Sequence, residues 1–137
     1  MMRIKFLVLF VCMLSLVATP VYAREPVPLV NHNNVAITSK PLTVDQVKGA
    51  ILTGAVTAGW SSIPQENNLI VSTLTVRNKH TVVVEISYTA QQFSINYKSS
   101  TNMKAGLSMD KQQMIHPFYN NWVDSLKNAI QAELHKY

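Results

Sequence analysis

Three segments between residues 70 and 97 place apolar side chains at every second position, and this alternation constrains the fold more than any other feature of the sequence. A period of two, rich in β-branched and aromatic residues, is typical of strands that bury one face. Short polar turns between the segments predict an antiparallel meander in which Val76 pairs with Val82 and Tyr88 pairs with Phe93. A slip of one residue would place apolar side chains on both faces, so the pattern also predicts one buried and one polar face.

Two segments with helical periodicity flank the predicted strands. The first begins with Thr43 and Gln46, whose spacing is typical of a capping box, and ends before Gly59, which suits the position after a helix. The second begins at Pro117, since proline is favoured in the first turn. One face of each helix is apolar, with Val44, Val47, Ile51, Ala55 and Ala58 in the first and Ile115, Tyr119, Trp122, Leu126, Ile130 and Leu134 in the second. Residues 43–137 are therefore predicted to form a single α+β domain of order α-β-β-β-α, a three-stranded antiparallel meander with two helices on one face.

A line of small residues runs along the first helix at Ala50, Gly54 and Ala58. Glycine inside a helix costs about 1 kcal/mol relative to alanine, so its presence needs a compensating contact. We predict that the line lets the helix backbone approach the sheet closely. The alternative is a seam between the helices of two copies of the chain.

The first 23 residues have the three-part layout of a secretory signal peptide. A short basic start is followed by an apolar run up to Val17 and by the segment Val21-Tyr22-Ala23. This layout predicts cleavage after Ala23 and a periplasmic or secreted protein. The run is shorter than the ~20 residues that a membrane-spanning helix needs, so no transmembrane segment is expected after cleavage. Residues 24–42 contain three prolines and are predicted to form an extended N-terminal arm.

The mature chain would carry no cysteine, because the only one, Cys12, lies in the predicted signal. Disulfides, thiolate zinc sites and thiol nucleophiles are thereby excluded. Bulky Phe10 and Val11 precede Cys12 where small residues would be expected before a lipidated cysteine, which argues against a lipid anchor.

The distribution of charge does not predict a nucleic-acid-binding protein. The chain has 12 basic and 7 acidic residues, and the basic ones are scattered without aromatic rings between them on one predicted face. The four histidines share no metal-ligand spacing, so neither a metal site nor a cofactor is predicted.

The sequence contains no GxSxG, Walker A or GxGxxG pattern. His116 is the residue that could act as a general base, with Asp110 to orient it or with Ser99 or Ser100 as a nucleophile. The alternative is that His116 makes local hydrogen bonds at the start of the second helix. We favour this alternative, and with it a binding protein over an enzyme.

Hydroxyl, amide, imidazole and aromatic side chains are concentrated at the end of the third strand and the start of the second helix. Such a mixture is typical of sites that recognise glycans or peptide backbones. The candidate ligand-binding residues are Tyr97, Ser100, Asn102, His116, Tyr119 and Asn120. The alternative is that Tyr97 and Trp122 are core residues whose polar tips find only local partners.

Short strings from Val30-Asn31 onwards carry a resemblance to known proteins: Leu42-Thr43, Gln46-Val47-Lys48, Ala50-Ile51, Gly59-Trp60, Leu74, Val76-Arg77, Ile86, Tyr88, Ser94-Ile95, Tyr97, Ser100, Asn102, Ile115-His116, Tyr119-Asn120, Trp122 and Leu126. In these positions the chain resembles a family of small exported bacterial proteins of unknown function, often labelled hypothetical proteins or lipoproteins. The resemblance implies a protein that faces the bacterial cell envelope. It also adds Trp60 and Arg77 to the candidate ligand-binding residues.

Together these observations predict an exported binding or interaction module of the cell envelope, without enzymatic activity, whose partner is an unidentified protein or glycan. Two alternatives stay open. One is a small hydrolase or transferase that uses His116. The other is an envelope assembly protein that pairs through an exposed strand edge, since the first and third strands of a three-stranded meander are both edges.

Overall fold

The computed structural model describes residues 24–37 and 40–137. These ranges contain two helices, α1 (Val44–Thr57) and α2 (Phe118–Leu134). The strands are β1 (Val27–Pro28), β2 (His32–Ala36), β3 (Ser61–Gln65), β4 (Leu69–Val76), β5 (His80–Tyr88), β6 (Gln92–Thr101), β7 (Gly106–Leu107) and β8 (Gln113–Ile115). The predicted signal peptide, residues 1–23, lies outside the described residues. Neither helix in the described part of the chain is long and apolar enough to cross a membrane.

The prediction of a single three-stranded meander with two helices is wrong, although the fold is α+β in general terms. The strands form a five-stranded antiparallel sheet of order β2-β6-β5-β4-β3 and a three-stranded antiparallel sheet of order β1-β8-β7. The alternating segments are β4, β5 and β6, and β3 and β2 cover both of their outer edges. The strands that the sequence predicts as edges are therefore interior strands.

The additional strands of the large sheet lack the alternation because they lie at its edges. β3 contains Pro64, which has no backbone N–H, and its Ile63 is 64% exposed. β2 is mostly polar, and its pairing with β6 shifts register between His32 and Val35. Edge strands that are interrupted by a proline or a bulge have the sequence features of loops.

The turn between β4 and β5 lies one residue earlier than predicted. Leu74, rather than Val76, pairs with Val82. The pairing shifts by two residues, so each side chain keeps its predicted face. The predicted pairing of Tyr88 with Phe93 is confirmed.

The core lies between the inner face of the five-stranded sheet and the two helices. Val84, Ile86 and Ile95 are fully buried on the central strands. Ile51 of α1 and Ile130 of α2 belong to the same buried cluster. The alternation in the strands and the apolar stripes of the helices thus serve one core.

The predicted start of α1 is confirmed. The Thr43 hydroxyl accepts a hydrogen bond from the Gln46 N–H at 3.1 Å, and the Gln46 side chain accepts one from the Thr43 N–H at 3.0 Å. These reciprocal bonds form a capping box and satisfy two backbone donors that the helix would otherwise leave free.

The predicted end of α1 at Gly59 is confirmed as well. Gly59 has a φ of 88°, a left-handed conformation that suits glycine. Its N–H donates to the Val56 carbonyl at 3.0 Å, and the Trp60 N–H donates to the Ala55 carbonyl at 2.9 Å. This pair of bonds is a Schellman motif, in which the residue after the glycine packs back against the helix. The cap therefore leads Trp60 into the core.

Gly54, at the centre of the small-residue line, contacts α2 and not the sheet, which corrects the prediction. A Cβ on Gly54 would lie 2.8 Å from both the Cα and the N of Ile130. The absent side chain therefore lets the backbones of two helices of the same chain meet.

The N-terminal arm contributes a strand to each sheet. Val27 of β1 pairs with Ile115 of β8, and β2 pairs with β6. Between the two strands, the Asn31 side-chain oxygen accepts a hydrogen bond from the Tyr97 N–H at 2.9 Å. This arrangement places the start of the arm beside α2.

Candidate functional site

Two adjoining cavities open where the turn between β4 and β5 meets the start of α2. His80 and His116 line both cavities, and their ring centroids are 6.4 Å apart. The first cavity, here named the inner chamber, has a volume of about 190 Å³ and is lined by Val76, Arg77, His80, Met103, His116, Phe118 and Trp122. The second, here named the vestibule, has a volume of about 480 Å³ and is lined by Arg24, Lys79, His80, Asn102, Lys104 and His116. The two cavities together are the cleft.

His80 is held by the residue that follows β6. The His80 Nδ1 lies 2.7 Å from the Asn102 carbonyl oxygen, and the Asn102 side-chain amide donates to the Lys79 carbonyl at 2.8 Å. Asn102 has a φ of 55°, a conformation that asparagine tolerates better than most residues. Since a carbonyl oxygen only accepts, Nδ1 of His80 carries a hydrogen, and Nε2 is the nitrogen left for a ligand.

His116 is tied to the backbone on both sides. The backbone N–H of His116 donates to the Met103 carbonyl at 2.7 Å. Its ring Nδ1 accepts a hydrogen bond from the backbone N–H of Phe118 at 3.1 Å. Because a backbone N–H only donates, Nδ1 of His116 carries no hydrogen. The neutral ring therefore carries its hydrogen on Nε2.

The pKa of His116 is lowered from its ordinary value. The largest cause is burial, which disfavours the charged ring, and the positive charges of Lys104, His80 and Arg24 act in the same direction. His116 is therefore mostly neutral at pH 7, and the hydrogen bond with Phe118 is retained.

The cleft carries an excess of positive charge. Arg24, Arg77, Lys79 and Lys104 line it, and among the residues that the structure describes no aspartate or glutamate does. The ion pairs found within the described ranges join Lys98 to Glu85, Lys136 to Glu133 and His32 to Asp124, and none involves a residue of the cleft. Cations that converge on one cavity without carboxylate partners attract anions.

Aromatic rings form the apolar wall of the inner chamber. The centroid of the Phe118 ring lies 4.7 Å from that of His116 and 5.9 Å from that of Trp122. The Arg24 guanidinium lies 4.5 Å from the Phe118 centroid, a cation–π contact. A ligand with an apolar part and an anionic part would match both cavities.

Three of the eight candidate ligand-binding residues lie in the cleft. Arg77 lines the inner chamber, Asn102 lines the vestibule, and His116 lines both. The structure places five candidates outside both cavities: Trp60, Tyr97, Ser100, Tyr119 and Asn120.

Tyr97 contacts both Ser100 and Tyr119 at the edge of the core. The hydroxyls of Tyr97 and Ser100 are 2.8 Å apart, and the Tyr97 ring meets Tyr119 edge to face with centroids 5.5 Å apart. Tyr119 is fully buried, and its hydroxyl has no hydrogen-bond partner among the described residues. Burial, with a smaller contribution from Tyr97, raises the pKa of this hydroxyl. These contacts indicate packing, which is the alternative that the sequence left open for Tyr97.

Asn120 binds the N-terminal arm. Its side-chain oxygen accepts a hydrogen bond from the Val30 N–H at 3.1 Å, and its side-chain nitrogen donates to the Pro28 carbonyl at 3.0 Å. An amide can make both bonds because it carries a donor and an acceptor, whereas an ionised aspartate would lack the donor. Asn120 thus anchors the arm on α2.

Replacing Asn120 with alanine is expected to loosen the arm. Two hydrogen bonds to backbone groups are lost, and we expect the free energy of unfolding to fall by about 1 kcal/mol. Amide hydrogen exchange should accelerate more at Val30 than at Val84 in the core, where exchange follows global unfolding. Asn121→Ala, at the exposed neighbouring position, is the control and should alter neither rate. Equal exchange at Val30 in the two variants would contradict this anchoring role.

The contacts of His116 give no support to a catalytic role. Among the described residues, the one hydrogen bond of its ring is to the Phe118 N–H. The Ser100 hydroxyl is bonded to Tyr97, and the Asp110 carboxylate accepts a hydrogen bond from the hydroxyl two residues earlier. No group of three His, Cys, Asp or Glu side chains that could hold a metal ion occurs within residues 24–37 and 40–137.

Eight residues that line the cleft were not among the candidate ligand-binding residues: Arg24, Val76, Lys79, His80, Met103, Lys104, Phe118 and Trp122. One feature of the sequence could have indicated the basic residues among them: the segments 77–80 and 102–104 each combine asparagine with at least one basic residue. Asparagine is common at tight turns with positive φ, and positive φ values do occur at Arg77, Asn78, Asn102 and Lys104. The turns bring basic side chains to one end of the sheet, where no spacing in the sequence would place them.

Comparison with known proteins found no match. No family model matches the chain, and neither does any curated protein or solved structure. The likeness to small exported bacterial proteins therefore stays a prediction from strings such as Gly59-Trp60 and Ile115-His116. The geometry of the cleft is then the observation that bears on function.

Proposed function

We propose that the protein is an exported binding module of the cell envelope, without enzymatic activity, and that its cleft binds a small anionic group. Export is supported by the three-part layout of residues 1–23. Binding is supported by one observation: four cationic residues line the cleft, and no aspartate or glutamate among the described residues does. An envelope protein or glycan, the partner expected from the sequence, would present its anionic group there.

The hydrogen bonds of the imidazoles favour binding over catalysis. Each ring is fixed to the backbone through Nδ1, so its orientation is set before a ligand arrives. The ring of His116 hydrogen-bonds to no nucleophilic side chain among the described residues, which gives no support to its use as a general base. The Nε2–H of His116 is then a fixed donor beside uncompensated cations, which is what anion binding needs.

Titration with two small aromatic ligands tests the anion site directly. Benzoate and benzylamine carry the same ring and opposite charges. With the mature chain, which should begin at Arg24, the NMR signals of His116 and Trp122 should shift with benzoate and not with benzylamine. Equal shifts with both ligands, or none with either, would contradict an anion site.

Lys104→Gln is expected to weaken benzoate binding about tenfold. A hydrogen bond to a charged group contributes about 1.5–3 kcal/mol, and a factor of ten corresponds to about 1.4 kcal/mol. Lys111→Gln is the matched control, since it removes the same charge from an exposed residue outside both cavities. This control should change the affinity less than about twofold, because salt screens distant charges. Equal weakening by the two variants would show that only net charge matters.

Binding of an anion is expected to raise the pKa of His116. Neighbouring cations hold this pKa down, and a bound negative charge opposes their effect. The complex then binds a proton more readily than the free protein, so affinity for the anion should rise as the pH falls through the titration of His116. An NMR titration of the His116 ring with and without saturating phenyl sulfate measures the shift. An unchanged or lower pKa in the complex would argue against an anion beside this ring.

A further inference from the structure

The two imidazoles of the cleft offer opposite hydrogen-bonding groups to a ligand. The Nδ1–H of His80 is bonded to the Asn102 carbonyl at 2.7 Å, so the neutral ring leaves a lone pair on Nε2. The Nδ1 of His116 is bonded to the Phe118 N–H at 3.1 Å, so this ring leaves an N–H on Nε2. One ring therefore accepts a hydrogen bond and the other donates one.

A ligand that satisfies both rings needs an O–H group beside an anionic oxygen. The monoanion of a phosphate monoester has this combination, and its next ionisation has a pKa of about 6. The monoanion donates its proton in a hydrogen bond to the free Nε2 of His80. Carboxylates and sulfate esters carry no such proton at neutral pH, so they leave His80 without a donor.

The dimensions of the cleft fit a phosphate that carries an apolar substituent. Rings 6.4 Å apart can each bind a different oxygen of one tetrahedral group through hydrogen bonds of about 2.8 Å. The inner chamber of about 190 Å³ has room for one ring, since a cavity of roughly 150 Å³ accepts benzene in another protein. Arg24, Lys79 and Lys104 line the vestibule and would offset the charge of the phosphate.

We propose that the cleft recognises a small phosphate monoester with a ring-sized apolar group. The phosphate lies between His80 and His116, and the ring lies in the inner chamber against Phe118. This inference rests on the proposed function, because it names the class of anion that the cleft prefers.

The experiment compares phenyl phosphate with phenyl sulfate by titration calorimetry at neutral pH. Wild type is expected to bind the phosphate at least tenfold more tightly. In His80→Phe the ratio of the affinities for phosphate and sulfate should fall about tenfold, because only the phosphate can donate a hydrogen bond to His80. Lys104→Gln should lower the affinity for both esters and change the ratio of the two affinities less. The comparison separates the effect of the hydrogen bond to His80 from the effect of the larger charge of the phosphate.

The outcomes distinguish failure of this inference from failure of the proposed function. Equal affinity of the wild type for the two esters, or equal loss of preference in His80→Phe and Lys104→Gln, would overturn the phosphate inference and leave the anion site standing. Binding of neither ester by the wild type would overturn the anion site itself. If circular dichroism shows that His80→Phe is unfolded, His80→Asn replaces it, since an amide can keep a bond to the Asn102 carbonyl.

Inorganic phosphate tests the role of the inner chamber. It should bind at least tenfold more weakly than phenyl phosphate, because burial of a ring adds a favourable contribution. Equal affinities would overturn the placement of the apolar group against Phe118.

Discussion

Replacing Trp60 with alanine is expected to lower the free energy of unfolding by about 3–5 kcal/mol, the range typical of removing a large aromatic side chain from a core. Trp60 is only 3% exposed and belongs to the main buried cluster. It follows the left-handed Gly59, and its N–H is bonded to Ala55 in the cap of α1. A folded domain is stable by about 5–15 kcal/mol, so this loss is a large part of the total. Urea unfolding followed by circular dichroism measures it.

The same substitution decides whether Trp60 is a core residue or a ligand contact. Trp60 lines neither cavity of the cleft. Trp60→Phe, which keeps a ring in the core, should lose clearly less stability than the alanine variant and bind benzoate with unchanged affinity. A Trp60→Ala variant that stays as stable as wild type but no longer binds benzoate would return Trp60 to the ligand-binding residues that the resemblance implies.

Gly54→Ala is expected to destabilise the protein by about 2 kcal/mol, although alanine favours helices. The added Cβ would lie 2.8 Å from backbone atoms of Ile130, a distance at which one helix has to move. Overpacking of this kind costs about 1–3 kcal/mol or somewhat more, and the gain in helix propensity of about 1 kcal/mol offsets only part of it. The measurement is again the free energy of unfolding in urea.

Gly49→Ala is the matched control on the same helix. A Cβ at Gly49 would meet the Tyr137 hydroxyl at 3.8 Å, an ordinary van der Waals distance. This variant should therefore gain up to about 1 kcal/mol from helix propensity alone. If Gly54→Ala were stabilised to the same degree, the close contact between α1 and α2 would be disproved.

Local patterns predicted the elements whose signals are contained in neighbouring residues. The capping box at Thr43, the glycine end at Gly59 and the three alternating strands all follow from contacts within a few positions. The second sheet could not be predicted in this way, since β1 and β7 have two residues each and β8 has three. Such short strands are defined by their partners and not by their own periodicity.

Only part of the cleft could be predicted, because only some of its residues have signals in the neighbouring sequence. His116 and Asn102 stood out because they are polar residues near predicted element ends, and both lie in the vestibule. Arg24 carries no local signal, and it reaches the same cavity through the arm. By contrast, Tyr119 and Asn120 were selected for their chemistry, which the fold uses for packing and for holding the arm.

The arm pairs with strands that come much later in the chain, Val27 with Ile115 and His32 with Ile95. Contacts over such separations require closure of a long loop and tend to form late in folding. A chain that leaves the ribosome, or passes through a translocation channel, amino end first keeps its arm unpaired until those partners emerge. Once β6 has emerged, its outer edge is open to other chains until the arm pairs with it. The rate at which the chain emerges, as much as the stability of the folded protein, then determines how much of the protein escapes aggregation.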